Sequence, residues 1–122
     1  MNTQYNPKTD AIEAANAVAT FDGAQGQVKF YWYAPAGDYR VVATDYETYA
    51  LVYSCANFLV AKNEWIWVLT RDQEPNEAVI FQVLQTLKER VPEYDQTSIR
   101  RTLQGVENNC KYYSEFSEVA TI

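Results

Sequence analysis

The stretch Ala43-Thr44-Asp45-Tyr46-Glu47-Thr48-Tyr49-Ala50-Leu51-Val52-Tyr53-Ser54-Cys55 decides the fold of this chain. It reads as the end of one extended segment, a tight polar corner and a second extended segment. Thr44 and Asp45 are short polar residues that hydrogen-bond local backbone at corners, and the run from Tyr49 is rich in residues that favour strands. Tyr39 to Asp45 and Thr48 to Cys55 therefore form two neighbouring strands. Upstream, 27–33 alternates Val28, Phe30 and Trp32 against Lys29, Tyr31 and Tyr33, the signature of a strand between two different environments. Pro35 and Gly37 mark the turn between them. Farther back, Ala11 to Phe21 is rich in Ala, Val and Thr, and Gly23 and Gly26 punctuate the chain after it. Downstream, Glu64 to Arg71 makes another strand with Trp65, Trp67 and Leu69 on one side. These segments predict an antiparallel meander over 11–71 behind an N-terminal lead at 1–10.

A helix is predicted over 75–91. Pro75 suits its first turn, Glu74 and Glu77 its positive end, Lys88 and Arg90 its negative end, and Pro92 stops it. Ile80, Val83, Leu84, Leu87 and Val91 recur at helical spacing, so one stripe packs on a sheet. The remainder, 92–122, is expected to hold one short strand around Ile99 to Leu103 and a polar tail. At 122 residues and 48% hydrophobic content, the chain fits a single domain with an ordinary core.

Composition narrows the chemistry. Ten Lys plus Arg against sixteen Asp plus Glu give a net charge of −6, which disfavours nucleic acid and anionic membranes as partners. There is no histidine, so the commonest general base and metal ligand is missing, and with it the Ser-His and Cys-His nucleophile systems. Enzymatic activity is therefore not expected. Cys55 and Cys110 are the two cysteines, too few for a metal cluster but compatible with one disulfide or with two bridges to partners outside the chain. No glycine-rich phosphate loop or metal-loop spacing occurs, and no metal or cofactor is expected.

The meander, the helix after it and two short motifs together resemble the lipocalin family. Thr44-Asp45-Tyr46 matches the family's second conserved block, and Arg71, ending Trp67-Val68-Leu69-Thr70-Arg71, matches its third. The run Tyr49 to Cys55 resembles the branch of apolipoprotein D, insect bilin-binding proteins and crustacyanins. The likeness covers roughly Ala11 to Cys110. The family's first block, Gly-X-Trp, is absent. By this resemblance the fold is mainly β, an antiparallel up-and-down barrel with one C-terminal helix packed on it. The chain is expected to begin near the end of the third strand, lacking roughly three of the eight strands of such a barrel.

The resemblance also implies function: an extracellular, secreted carrier for a small hydrophobic ligand such as a bilin (biliverdin), carotenoid, retinoid or fatty acid, with no cofactor required. The family's inward pocket positions fall on Phe30, Tyr39, Trp67 and Leu69, and Val28, Trp32, Val41 and Trp65 share their parity as secondary candidates. Thr44, Asp45, Tyr46 and Arg71 would be structural, and the cysteines matching Cys55 and Cys110 each bridge to an N-terminal region. The incomplete barrel raises a second expectation: a homo-oligomer or partner chain completes it by edge-strand pairing, and ligand binding is then lost.

Overall fold

The computed structural model describes residues 2–31, 33 and 35–110. They form two compact units, one of residues 17–100 and one joining the first sixteen residues to those from 101 onward.

In the smaller unit, β1 (Asn2–Asn6) pairs antiparallel with β2 (Ala11–Ala15). The expected lead at 1–10 is thus largely a strand and its turn. Its sequence is polar and lacks alternation, which hides it. The hairpin is held instead by side chains: Gln4 Nε2 and Asn6 Nδ2 donate to the Glu13 carboxylate at 2.9 and 2.6 Å, and Tyr5 Oη donates to Asp10 Oδ1 at 2.8 Å. Asp10 takes a positive φ of 52° at the turn, a conformation that Asp tolerates better than most residues.

The larger unit carries a five-stranded antiparallel sheet in the order β3 (Val18–Asp22), β4 (Gln25–Lys29), β5 (Gly37–Thr44), β6 (Tyr49–Asn57) and β7 (Lys62–Thr70). From Val18 on this is the predicted meander, mainly β and antiparallel; Ala11–Ala15, expected as its beginning, pairs with β1 in the separate two-stranded sheet instead. Within it β3 and β7 are the edges, so these strands form an open sheet. β4 stops at Lys29, short of the expected Tyr33, because the last pairing is Val28 with Gly37 and the chain then bends through Pro35.

Helix α1 (Glu77–Arg90) comes after β7. Asn76 is its N-cap, with Oδ1 accepting from the Ala78 N–H at 2.9 Å, so Pro75 stands just before the helix rather than inside it. Leu51, Val83 and Leu87 are fully buried where the helix stripe meets the sheet, with Val42, Ala43, Ile66 and Val68 around them. Arg90 donates to the Val42 carbonyl at 2.9 Å and Gln96 to that of Leu84 at 3.0 Å, tying the helix to β5 and to the segment after it.

The strand expected around Ile99 to Leu103 does not form. A 3₁₀ turn, Gln96–Ser98, capped by Asp95, redirects the chain. Ile99 then packs against the helix core and Leu103 is exposed.

Candidate functional site

Alternation sorts the sheet into two faces. On β6, Tyr49 and Leu51 point to the helix side, and by period two Tyr53 joins them; Ala50, Val52, Ser54 and Ala56 point the other way. On β7, Ile66 and Val68 pack toward the helix, and Trp65, Trp67 and Leu69 face away from it. The face turned from the helix has a floor of small residues on β6. Large side chains flank that floor: Tyr39 and Val41 on β5, Trp65, Trp67 and Leu69 on β7. The middle of the floor is dry even so, with Val52 only 1% and Ser54 7% exposed, while Ala50 and Ala56 at its ends are half-buried.

The flanking rings cover it. Tyr39 and Trp67 are stacked, with centroids 6.2 Å apart and planes at 22°. Phe21 on β3 meets Tyr39 edge-on at 5.8 Å and 83°. The result is a row of three aromatic rings, Phe21, Tyr39 and Trp67, across the open face. Burial raises the pKa of the Tyr39 phenol above its ordinary value, so it stays a neutral donor and acceptor at physiological pH. Trp67 and Leu69 remain 41% and 46% exposed, so apolar surface on this face stays open to solvent.

Gly26 makes the row possible. It pairs with Phe21 on one side and Tyr39 on the other, and a Cβ there would lie 2.6 Å from Phe21 Cε1.

Of the candidate ligand residues, the structure brings Tyr39, Val41, Trp67 and Leu69 onto this face. Val41 pairs with Val52, which pairs with Trp67, so the three make one cross-strand line. Phe30 lies in the bend beyond β4, where strand pairing no longer sets its direction, and is 43% exposed. Trp32 lies outside the described residues. Val28 is half-buried on β4 and Trp65 pairs with Ser54. Phe21 is absent from the residues that sequence parity selects. Its signal is the Phe-X-X-X-X-Gly spacing across the Gly23 turn, which places a ring opposite a residue without a side chain.

At the opposite end of the same strands, Asp45 organises the corner. Its Oδ1 accepts from the backbone N–H groups of Glu47, Thr48 and Tyr49 at 3.0, 2.8 and 3.0 Å, and its Oδ2 accepts from the Thr48 hydroxyl. That hydroxyl and these amides hold the Asp45 carboxyl far below the usual carboxylate range. Thr44 Oγ1 donates to the Tyr49 carbonyl at 2.7 Å and accepts from the Tyr46 N–H. Arg71 closes the corner from the end of β7: its backbone N–H donates to Thr48 O at 2.9 Å and its guanidinium reaches Tyr46 O at 3.4 Å. Tyr46 itself sits at a φ of 66° and is exposed.

Cys55 and Cys110 are both free thiols in the structure, near Asn57 Oδ1 and the Leu103 carbonyl respectively. Beside Cys55, Tyr53 Oη donates to Glu64 at 2.7 Å and Lys62 pairs with the same carboxylate at 2.9 Å. Burial, then this bond to Glu64, raises the Tyr53 pKa. A shallow depression of about 500 Å³ nearby is lined by Lys62, Asn63, Glu64, Trp65, Tyr94, Asp95 and Ser98, more polar than the ring row but with the Trp65 ring in its wall. Among the described residues, no group of His, Cys, Asp and Glu side chains could hold a metal ion.

The open antiparallel meander, the ring row on one face, the helix on the other and the Arg71-closed corner agree with a sequence match. The model of the lipocalin / cytosolic fatty-acid binding protein family matches residues 13–106. The chain belongs to this family. Within it, this lipocalin is similar to apolipoprotein D from Macaca fascicularis, 42% identical over 69 residues, covering 55% of this chain and 36% of that protein. It is also similar to apolipoprotein D from Bos taurus, 45% identical over 56 residues (44% of this chain, 30% of that protein), and from Mus musculus, 42% identical over 60 residues (48% and 32%). The matched segment is thus about a third of the length of these relatives.

Proposed function

We propose that this lipocalin binds and carries a small hydrophobic ligand on the ring row, with Tyr39, Val41, Trp67 and Leu69 contacting it, Phe21 extending the platform and Phe30 near its end. The observation that carries this reading is the row itself: Tyr39 and Trp67 standing over the buried middle of the β6 floor, Phe21 extending them over Gly26, and apolar edges still open to solvent. Flat, conjugated ligands such as a bilin, carotenoid or retinoid stack on such surfaces, and a fatty-acid chain can lie along them. The Tyr39 hydroxyl supplies one polar anchor for a carbonyl or carboxylate. Affinity comes from burial, about 25 cal/mol per Å² of apolar surface removed from water, less the ordering of ligand and side chains. The role is binding without chemical turnover, in an extracellular setting, with no cofactor. Cys55 and Cys110 would bridge there to residues outside this chain, as the family resemblance implies.

The test is a tryptophan-fluorescence titration with biliverdin and with a fatty acid, on the parent chain and on Tyr39→Ala and Trp67→Phe. Saturable one-to-one quenching that weakens at least tenfold in Tyr39→Ala supports the carrier. Absence of saturation by either ligand overturns it.

A second reading has its own observation: β3 is an edge strand exposed along all five residues, and such edges recruit another strand. In that reading the chain is an interaction module or oligomer subunit. A monodisperse monomer in light scattering at high protein concentration would dismiss it.

A further inference from the structure

One line of residues crosses all five strands at the ring row. Phe21 pairs with Gly26 and Gly26 with Tyr39. The register of Val41 with Val52 and Arg40 with Tyr53, carried one residue on, sets Tyr39 opposite Ser54, and Ser54 pairs with Trp65. Large and small residues therefore alternate along the line, and its two small places are covered differently. The Phe21 ring leans over Gly26 to meet Tyr39 edge-on. Tyr39 stacks diagonally on Trp67, so Ser54 lies between that stack and the Trp65 ring.

Ser54 is buried, and among the described residues its hydroxyl has no hydrogen-bond partner. Folded chains rarely leave a buried hydroxyl in that state, because its water is given up with nothing in return. The face around it carries no charge either. By period two, Asp38, Arg40, Lys62 and Glu64 turn to the helix side, and Asp22 and Lys29 share that side through their register. Among the described residues, every side chain that β3 to β7 turn away from the helix is uncharged.

We propose that Ser54 reads the polar end of the ligand and selects an uncharged oxygen, a hydroxyl or a carbonyl, over a carboxylate on the same skeleton. The inference rests on the carrier reading and narrows it. A serine hydroxyl both donates and accepts, so it serves an alcohol, an aldehyde or a ketone equally. A carboxylate brought to Ser54 would lose its water with no cation to meet it, which costs more than one hydrogen bond returns. An acid is then carried with its tail on the rings and its charged end left in water at the rim. Access to Ser54 is from the side of Trp65, whose ring is 43% exposed and, like other exposed side chains, changes rotamer within nanoseconds.

The experiment is a tryptophan-fluorescence titration of the full chain with retinol and with retinoic acid, which share a skeleton and differ at that end, repeated on Ser54→Ala. In neutral buffer the parent chain is expected to bind retinol about tenfold more tightly than the acid, the cost of desolvating an unpaired carboxylate holding the acid back. Ser54→Ala should bind retinol about fivefold more weakly, the worth of one hydrogen bond, and the acid as before. Urea unfolding without ligand is the second readout. Since the hydroxyl has no partner to lose, Ser54→Ala should keep or raise the midpoint. The inference is overturned if the parent chain binds both retinoids equally or prefers the acid, if Ser54→Ala weakens both alike or neither, or if it lowers the midpoint, because the hydroxyl would then serve the fold. The carrier reading survives each of those results. It fails, and this inference with it, if neither retinoid saturates on the parent chain.

Discussion

Tyr39 and Trp67 stack at 6.2 Å although a whole strand, β6, runs between the strands that bear them. Neighbouring strands are about 4.8 Å apart, so two intervals separate β5 from β7. The rings close that distance by leaning inward over Val52 and Ser54, which is possible only because the β6 positions beneath them are small. Removing both rings should reveal their coupling: Tyr39→Ala, Trp67→Ala and the double variant, compared by urea unfolding, are expected to show about 0.5–1.5 kcal/mol of non-additivity. Strict additivity would mean that each ring covers the floor independently.

Gly26→Ala should disturb the row from the side of β4. The new methyl must push the Phe21 ring away, and that ring, being half exposed, can swing out. The expected result is a loss of no more than about 1.5 kcal/mol, the worth of the edge-on pair with Tyr39, with a changed near-ultraviolet dichroism. Adding Phe21→Ala should restore tolerance of the methyl. A loss unchanged by Phe21→Ala would place the strain elsewhere.

Asp45 predicts a pH dependence. Its folded carboxyl titrates well below the unfolded value of about 3.9, so the ionised form stabilises the folded chain. That contribution is complete above the unfolded value and is lost as pH falls through the lower folded one. Asp45→Ala should therefore lower the melting temperature by a constant amount from about pH 8 to about pH 5, and the gap to the parent chain should narrow in more acidic buffer. A gap independent of pH down to acid unfolding would show that the carboxylate charge is not what holds the corner.

The two faces should respond differently to truncation. Leu87→Ala opens a cavity at a fully buried position between helix and sheet and is expected to cost about 2–5 kcal/mol in chemical unfolding. Leu69→Ala removes a half-exposed side chain from the open face and should cost much less, while weakening ligand binding. Equal destabilisation would mean that the open face is a second core.

Asn76→Ala removes the side chain that caps α1 and should cost about 1 kcal/mol, read as a lower midpoint with an unchanged slope. Asn76→Ser should recover most of it.

How much of this fold is legible in the chain depends on whether a residue's partner is local. The strands around Asp45 and the helix stripe from Ile80 to Val91 carry their periodicity within one segment, and they lie where the sequence places them. β1 escapes because its cohesion comes from Gln4 and Asn6 reaching Glu13, a polar pattern that resembles a loop. The strand expected near Ile99 fails for the reverse reason: Ile99 serves the helix core, and Asp95 turns the chain before any strand could pair. At the site, parity gives Tyr39, Trp67 and Leu69 a common side, but Phe21 joins them only through its register with Gly26 across a turn. Phe30 shares that parity yet lies past the end of β4, where parity stops meaning anything.

The irregularity in β5 divides the strand. Pairing skips from Val41 with Val52 to Ala43 with Leu51, and the extra residue, Val42, gives its carbonyl to Arg90 of α1. Upstream of it, odd-numbered residues address the face turned from the helix; downstream, Ala43 addresses the helix. One strand thus contains two reading frames joined at a single residue. A change that reshapes the platform around Tyr39 and one that retunes the Asp45 corner fall in different frames, so the two ends of the strand can diverge independently while Val42 and Arg90 keep their phase.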